Sequence, residues 1–486
     1  MLGWYKVSFL IRTLFSGYKM KNYTKVVLVL ISILSFSCSK GDEEQYIPLT
    51  AEEGEQYSGG ETTVFNQSEE AFGFFAPNLT FDQQSDFGIG NSFFRQNWVA
   101  APSSTTARDG VGPFFNAISC SSCHFKDGRG RAPLMDGETG HGLLLRLSIP
   151  GVDGNGGNLP DPVYGGQLQD GAILGQTLEG NFSIVYQSLT ETFADGTTVV
   201  LKKPSYQINN LGFGALATNL QISPRVANQI VGMGLLEAIP ESTLLGFADE
   251  NDTNKDGISG KLNYVHDVAS NSKKVGRFGW KANQPSVRQQ VAAAFLGDMG
   301  ITTSLFPNEN GPFGVDLSAI ANGGAPEITD LNFERVVLYS STLAVPARRN
   351  YAEQNVLKGK KTFETIGCAS CHIPKIQTGN SHAITALRNQ TIRPYTDLLL
   401  HDMGADLADN TPDFKATGSE WRTQPLWGIG LIETVNNHTN LMHDGRAKNV
   451  TEAILCHGGE GKSSKDKFKK LNATERGELL DFINSL

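Results

Sequence analysis

One five-residue pattern occurs twice in this sequence, as CSSCH at residues 120–124 and as CASCH at residues 368–372. In each copy two cysteines stand three positions apart, and a histidine directly follows the second cysteine. Thiols at this spacing lie on one side of a helical turn, where both can form thioethers with one haem, and the next histidine can bind the iron. The pattern therefore predicts two covalently bound c-type haems. The predicted attachment and iron-binding residues are Cys120, Cys123, His124, Cys368, Cys371 and His372.

Two other chemistries also use paired cysteines. Four thiolates from both pairs could hold one structural zinc ion, and each pair could form a redox-active disulfide of the thioredoxin type. Neither alternative explains why a histidine follows both pairs, and neither pair sits in an evident strand–helix unit. The sequence therefore favours haem.

The composition is that of an ordinary globular protein. The chain has 486 residues, enough for two or three domains, with 39% hydrophobic and 19% charged residues. Its 53 glycines indicate many turns and long ordered loops. The formal net charge is −9 and no long basic run occurs, so the sequence does not support binding to nucleic acid.

The N-terminal region has the pattern of an export signal. Lysines precede an apolar run at residues 26–34, which is too short to span a bilayer, and Cys38 follows small residues. A start at Met20 would give a signal of ordinary length. We expect residues 1–37 to be a signal peptide and Cys38 to carry a lipid that anchors the protein to a membrane, with a plain signal peptide as the alternative. The expected location is the outer membrane, on its periplasmic or cell-surface face.

Downstream patterns predict a tether, three further regions and their secondary structure. Residues 38–65 are polar and form the expected tether. Strand-like residues 183–186 and 198–201 flank a turn, which predicts a β-hairpin. Helices are predicted at residues 224–239, 285–299, 330–345 and 473–486. The predicted regions are a first haem-binding region at 66–142, an insertion with hairpins and helices at 143–340, and a second haem domain at 341–486.

Several blocks around the two motifs point to one family. They are DGRG at 127–130, GWKA at 279–282, LHDMG at 400–404, WRTQPLWG at 421–428 and HDGRA at 443–447. From about residue 91 to the C-terminus the sequence resembles the dihaem oxidoreductases, sometimes labelled thiol oxidoreductases, which are related to bacterial dihaem cytochrome c peroxidases. The resemblance implies a mainly α fold, with two cytochrome c-like haem domains, a β-rich insertion and long ordered loops.

The same resemblance suggests the second ligand of each iron. In the related peroxidases a distal histidine follows the first haem motif, and a distal methionine precedes a His-Asp-Gly near the C-terminus. By this resemblance His141 is the distal ligand of the first haem and Met442 that of the second. Met403 is a rival to Met442, and a surface histidine or a core methionine is the ordinary alternative for each.

Other polar and aromatic residues are expected near the haems. Arg446, with Arg422, is expected at the edge of the second haem, where an arginine can neutralise propionates or orient a bound oxygen species. A surface ion pair is the alternative for either arginine. Trp280 and Trp427 are candidates for an electron path between the haems, although burial in a core is the commoner role of tryptophan.

Residues 252–257 read DTNKDG, which matches the opening of a calcium-binding loop. The oxygens of Asp252, Asn254 and Asp256 suit a hard cation such as Ca²⁺. The twelfth position is Asn263 rather than the bidentate glutamate of an EF-hand, so a capped turn without an ion is the alternative. Related dihaem peroxidases hold calcium between their domains.

These features together predict a peroxidase-like oxidoreductase. In this hypothesis the second haem takes electrons from a small donor protein, and peroxide or a similar small oxidant is reduced at the first haem after His141 moves away. His141 and Arg446 are the predicted catalytic residues. The alternatives are a dihaem electron-transfer protein without its own substrate, and an enzyme that oxidises thiols or a partner protein. Cys456 is expected to be an inert thiol.

Overall fold

The computed structural model describes residues 48–135, 138 and 142–486, and residues 49–486 belong to one unit. The predicted signal peptide, the lipidated Cys38 and the distal ligand His141 lie outside the described residues. Within the described part of the chain, no helix is both long enough and apolar enough to cross a bilayer.

The α-helices of the described residues are mostly short and are joined by long loops. In chain order they are α1 Phe81–Arg95, α2 Cys120–Cys123, α3 Met233–Glu237, α4 Glu241–Phe247, α5 Val287–Met299, α6 Asp330–Thr342, α7 Gln354–Thr365, α8 Ile432–Asn436, α9 Val450–Cys456, α10 Lys462–Phe468 and α11 Ala473–Ser485. Single 3₁₀ turns lie before and between these helices, at Gly60–Thr62, Phe125–Asp127, Leu317–Ala319, Cys368–Ser370, Thr385–Leu387, Ile429–Leu431 and Gly459–Gly461.

The strands form several small antiparallel sheets. In chain order they are β1 Phe114–Phe115, β2 Leu143–Val152, β3 Asn158–Leu159, β4 Gly171–Ala172, β5 Asn181–Thr192, β6 Thr198–Asn209, β7 Gln221–Val226, β8 Tyr264–Asp267, β9 Ser272–Val275, β10 Ile376–Gln377, β11 Thr391–Ile392, β12 Leu400–Asp402 and β13 Glu420–Arg422. The three-stranded sheet has the order β3-β2-β7, and the other pairs are β1 with β4, β5 with β6, β8 with β9, β10 with β11 and β12 with β13.

The prediction of a mainly α fold with cytochrome c-like haem domains is wrong. Helices account for 28% of the chain and strands for 18%, so the protein is a mixture of α and β structure with many small sheets. The helices at the two motifs themselves are minimal, because α2 has four residues and the second motif forms only the 3₁₀ turn Cys368–Ser370. Strands were expected in the insertion, but β1 lies in the predicted first haem-binding region and β10 to β13 lie in the predicted second haem domain.

The predicted β-hairpin is confirmed. Strands β5 and β6 pair along their whole length, from Asn181 opposite Asn209 to Thr192 opposite Thr198. The tip of the hairpin lies against the C-terminal helices, because Phe193 packs edge-on against Phe468 with 5.5 Å between ring centroids. The hairpin is therefore anchored at its far end.

The predicted helices are confirmed in three of four places. Helices α5, α6 and α11 fall inside their predicted ranges. The prediction for residues 224–239 is wrong in its first part, because Pro224 lies in strand β7 opposite Leu145 and helix α3 begins only at Met233. Proline is tolerated in β7 because this strand is at the edge of its sheet.

Two helix pairs stand beside the two cysteine–histidine motifs. Helices α1 and α6 meet through Phe94 and Tyr339, whose ring centroids are 5.1 Å apart, and Phe94 also faces the ring of His124. Helices α7 and α11 cross at Gly359, where a Cβ atom would lie 1.9 Å from the carbonyl oxygen of Glu478. This close crossing requires glycine. The boundaries predicted between the haem regions and the insertion stay a prediction.

Candidate functional site

A large cavity lies beside each cysteine–histidine motif. The first cavity is lined by Cys120, Cys123 and His124 and encloses about 1580 Å³ of space, its open mouth included. The second cavity is lined by Cys368, Cys371 and His372 and encloses about 1420 Å³ on the same measure. Each cavity therefore brings the two thiols and the histidine of one motif to the same open space.

The two motif histidines are held in the same way. The Nδ1 atom of His124 donates to the carbonyl oxygen of Asn228 at 2.7 Å, and that of His372 donates to the carbonyl oxygen of Tyr395 at 2.9 Å. A carbonyl oxygen only accepts, so each Nδ1 carries the proton and each Nε2 keeps its lone pair. Burial lowers the pKa of His124, and it lowers that of His372 to about 4. Both rings are therefore neutral, as a metal ligand must be.

The motif cysteines are free thiols rather than disulfides. Burial raises the pKa of Cys120 and that of Cys368 to about 12, which disfavours the thiolate that zinc binding or disulfide exchange requires. The two pairs also line different cavities, so they cannot share one zinc ion. Two thiols beside one oriented histidine in a large cavity fit the predicted haem better than either alternative.

The walls of the first cavity carry charged and polar side chains. Arg146, Arg225, Asn228 and Asp298 all line it. Arg225 is paired with Asp413 at 2.9 Å. Burial raises the pKa of Asp298 and lowers that of Arg146, while the opposite charge of each partner counteracts the shift. The first cavity therefore offers both a positive charge and a carboxyl group that holds its proton readily.

The sequence reasoning did not identify these polar residues. Arg146 lies in β2, where Leu143, Leu145 and Leu147 are buried and the alternate residues Leu144 and Arg146 line the cavity. An arginine inside an otherwise apolar strand was the available signal. Arg225 lies in β7, opposite Leu144 of β2, in a segment where a helix was expected.

The second cavity has a more apolar lining. Both methionines proposed as distal ligands, Met403 and Met442, line it together with Leu407 and Leu441. Met442 adopts a left-handed backbone conformation with φ of 70°. The structure therefore brings both candidate ligands to the same cavity as His372, as the sequence patterns predicted for one of them.

A buried charged group that the sequence reasoning missed stands beside the second cavity. The Nε2 atom of His401 lies 2.8 Å from a carboxylate oxygen of Asp397, and its Nδ1 lies 2.6 Å from one of Glu460. Its Nδ1 is also 3.7 Å from Cys371 Sγ. Burial alone would lower the pKa of His401, but its hydrogen bonds to Asp397, Cys371 and Glu460 raise it well above the usual value. The ring is therefore an imidazolium held between two carboxylates.

The two cavities share a wall. Its residues line both cavities and are Arg129, Gln229, Trp280, Arg422, Gln424 and Pro425, which we call the shared wall. Trp280 donates from Nε1 to the carbonyl oxygen of Val226 at 2.8 Å, and the guanidinium of Arg129 lies 5.1 Å from the centre of its ring. Trp280 thus lines both cavities, and its role in an electron path stays a prediction.

One buried nitrogen of the shared wall has no hydrogen-bond partner among the described residues. Arg422 is only 6% exposed, yet its Nη1 atom has no hydrogen-bond partner, while Nε donates to Gly279 and Nη2 to Gln424. A buried unpaired guanidinium nitrogen is costly. A carboxylate such as a haem propionate would satisfy it, so the residues present fit the predicted cofactor.

A comparison with protein families agrees with this geometry. Residues 53–486 match the family model described as "Di-haem oxidoreductase, putative peroxidase". The chain belongs to the di-haem oxidoreductase family. Membership in this family implies two haems. No curated protein and no solved structure matches the chain significantly.

Not every predicted residue of this di-haem oxidoreductase lies at a cavity. Arg446 is paired with Asp444 at 2.6 Å and donates to the carbonyl oxygen of Asp406, and it lines neither cavity. Trp427 is 1% exposed within the main hydrophobic cluster and also lines neither. Cys456 is a free thiol whose pKa burial raises to about 12, which suits the inert role predicted for it.

The predicted calcium loop of this di-haem oxidoreductase turns its oxygens toward its own backbone. Asp252 accepts from the N–H of Gly257, and Asn254 accepts from that of Asp256 at 2.9 Å. Asp256 accepts a hydrogen bond from the backbone N–H of Ile258 at 2.9 Å. Such bonds are those of capped turns. Calcium binding here stays a prediction.

Proposed function

We propose that this di-haem oxidoreductase is an exported, peroxidase-like enzyme whose two haems are attached through the cysteines of both motifs. One observation carries the proposal, namely that two cavities with identically oriented histidines share a wall but differ in the rest of their lining. When bound, the haems supply iron centres that transfer single electrons and can bind a small oxidant. The residues around each haem determine whether that site reduces the oxidant or receives electrons.

We assign the reduction of peroxide to the first cavity. Conversion of hydrogen peroxide to two waters consumes two electrons and two protons, so the site needs proton donors and a positive charge. Asp298 and Arg146 line this cavity, and burial raises the pKa of the Asp298 carboxyl, which favours its protonated form. A positioned acid of this kind contributes about 10² to 10⁴ in rate. His141 remains the predicted distal ligand of this site.

We assign electron entry to the second cavity. Its lining is more apolar than that of the first cavity, which suits a site that transfers electrons without binding a polar substrate. Electrons from a small donor protein would then cross the shared wall, where Trp280 lies between the cavities and Arg422 offers its unpaired Nη1 to a propionate. The residues of the shared wall therefore hold and connect the two cofactors.

The same proposal places the protein at the outer membrane, anchored by a lipid on Cys38. The support is the sequence pattern of lysines, an apolar run and Cys38. Growth with a radiolabelled fatty acid should label the protein, and Cys38→Ala should remove the label.

The activity is tested on protein exported and matured in a host that attaches c-type haem. Haemochrome absorbance in pyridine should report two haems per chain, and the reductively activated protein should consume hydrogen peroxide at the expense of a reduced donor. A persistent high-spin ferric signal in electron paramagnetic resonance (EPR) would mark the iron that can bind peroxide. Protein with both haems, no turnover and only low-spin signals would instead be an electron-transfer protein.

A further inference from the structure

Four histidines line the second cavity, namely His372, His401, His443 and His457. The ring of His443 is stacked on Trp421, with 3.8 Å between the ring centroids. His457 follows the last residue of α9, and it lines this cavity together with Ala453 and Ile454 of the same helix. Its Nδ1 donates to the carbonyl oxygen of Ala453 at 2.8 Å. Because a carbonyl only accepts, Nδ1 carries the proton and Nε2 keeps a lone pair. This is the arrangement found at both motif histidines.

The ring of His457 is held in place. A Cβ atom at Gly461 would lie 3.0 Å from His457 Cδ2 and 3.1 Å from its Cβ, so the glycine provides the space that the ring occupies. The backbone bond at Nδ1 fixes the other side of the ring. His457 is thus preorganised, as ligands that bind a metal through Nε2 usually are.

The described residues give the Nε2 atom of His457 no hydrogen-bond partner, since the only bond of the ring is at Nδ1. The two methionines need no such partner. Met403 packs against the hydrophobic cluster that contains Leu407 and Trp421, and Met442 packs against that cluster and the main one. Apolar packing therefore accounts for both methionines, whereas it does not account for His457.

We propose that His457, and not Met442 or Met403, is the second axial ligand of the iron held by His372. The proposal rests on the proposed function in that it requires haem in the second cavity. It replaces histidine–methionine ligation by bis-histidine ligation. Methionine raises the potential of a haem iron, so we expect a lower reduction potential than a histidine–methionine site would have.

The first test uses the unmodified holoprotein. The pyridine haemochrome count comes first, and absence of haem would overturn both the proposed function and this inference. With two haems present, bis-histidine ligation predicts no charge-transfer band of a methionine–iron bond at the red edge of the visible spectrum, together with a low-spin EPR signal typical of two imidazoles. A methionine band that disappears in Met442→Leu or Met403→Leu would overturn the inference while leaving the haem sites intact.

The second test changes the ligand itself. His457→Ala should convert the second haem from low-spin to high-spin, and added imidazole should restore the low-spin spectrum. His457→Met should create the methionine band and raise the reduction potential of that haem. Met442→Leu and Met403→Leu are the matched controls and should leave its spectrum unchanged. If His457→Ala retains the wild-type spectrum, or if the variant does not fold and the wild type shows the methionine band, the inference fails. If it does not fold and the wild type lacks that band, the wild-type spectra support the inference.

Discussion

The two cavities differ in their linings although they hold their motif histidines in the same way. In both, a backbone carbonyl fixes Nδ1 and leaves Nε2 for a metal. The first cavity then adds Arg146 and Asp298, whereas the second adds methionines and leucines beside the His401–Glu460 ion pair. The comparison teaches that the local motif determines where a cofactor is held, while distant segments of the chain determine the chemistry around it.

The largest effect should follow from changing one cysteine pair at a time. Cys120→Ser with Cys123→Ser should remove the first haem, because its two thioether attachments are lost, and Cys368→Ser with Cys371→Ser should remove the second. Pyridine haemochrome absorbance should fall by half in each double variant, and peroxide turnover should be lost in both. Loss of both haems from either variant would show that the two sites are not independent, and unchanged haem content would refute covalent attachment.

The next largest effect should come from a charged residue that lines the first cavity only. Arg146→Gln removes the positive charge that lines the first cavity, so we expect kcat/KM for hydrogen peroxide to fall by about a hundredfold, similar to the loss of one oxyanion-stabilising donor. Arg288→Gln is the control, because Arg288 forms an exposed ion pair with Glu334. Both variants should keep two haems. Equal activity of the two variants would show that the first cavity is not where peroxide reacts.

How much of this comparison the sequence could reveal depends on how local each feature is. The hairpin is set by neighbouring residues, and its prediction is confirmed. The motif histidines are equally local features, and their role as iron ligands stays a prediction. Arg146 enters the first cavity only because β2 alternates its side chains and pairs with β7, a contact between segments far apart in the chain. Pro224 suggested the start of a helix, but edge-strand pairing decided its conformation.

The second site shows the same limit. His401 stood in a recognised block, LHDMG, yet its partner Glu460 comes from the 3₁₀ turn that follows α9, so their ion pair could not be read from either segment alone. The expectation of cytochrome c-like domains failed because the motifs need only a single turn each, and the remaining architecture is free to differ. Contacts between distant segments were therefore not predictable from the local patterns.

A smaller effect concerns the pH dependence of the unfolding free energy, which should differ between the first and the second motif region. Asp127, beside His124, accepts a hydrogen bond from Tyr339, and burial raises the pKa of its carboxyl from 3.8 to about 7. The folded state therefore holds a proton that the unfolded state releases between about pH 4 and 7, and the free energy of unfolding should fall as pH rises through that window. Denaturant unfolding at several pH values should show this slope in the wild type.

Asp127→Asn provides the comparison for that slope. It keeps an acceptor for Tyr339 but cannot titrate, so its unfolding free energy should vary less between pH 4 and 7. At the second site the pKa of His401 is raised, which gives stability that is lost only as pH rises through its higher folded value. The Asp127→Asn variant should retain that alkaline loss. If the slope of the unfolding free energy between pH 4 and 7 is the same in Asp127→Asn as in the wild type, another titrating group causes it.

The smallest effect concerns the hairpin that lies against the C-terminal helices near the second site. Glu191 of β5 pairs with Lys465 and Lys469, both at 2.6 Å, and its side chain is 21% exposed. Because such pairs near the surface contribute little, Glu191→Gln should lower the free energy of unfolding by about 1 kcal/mol or less. Denaturant unfolding measures this, with Glu250→Gln at an exposed position as the control. Since Phe193 still packs on Phe468, the haem spectrum should not change, and a loss of the second haem alone would mean that this ion pair also closes the second cavity.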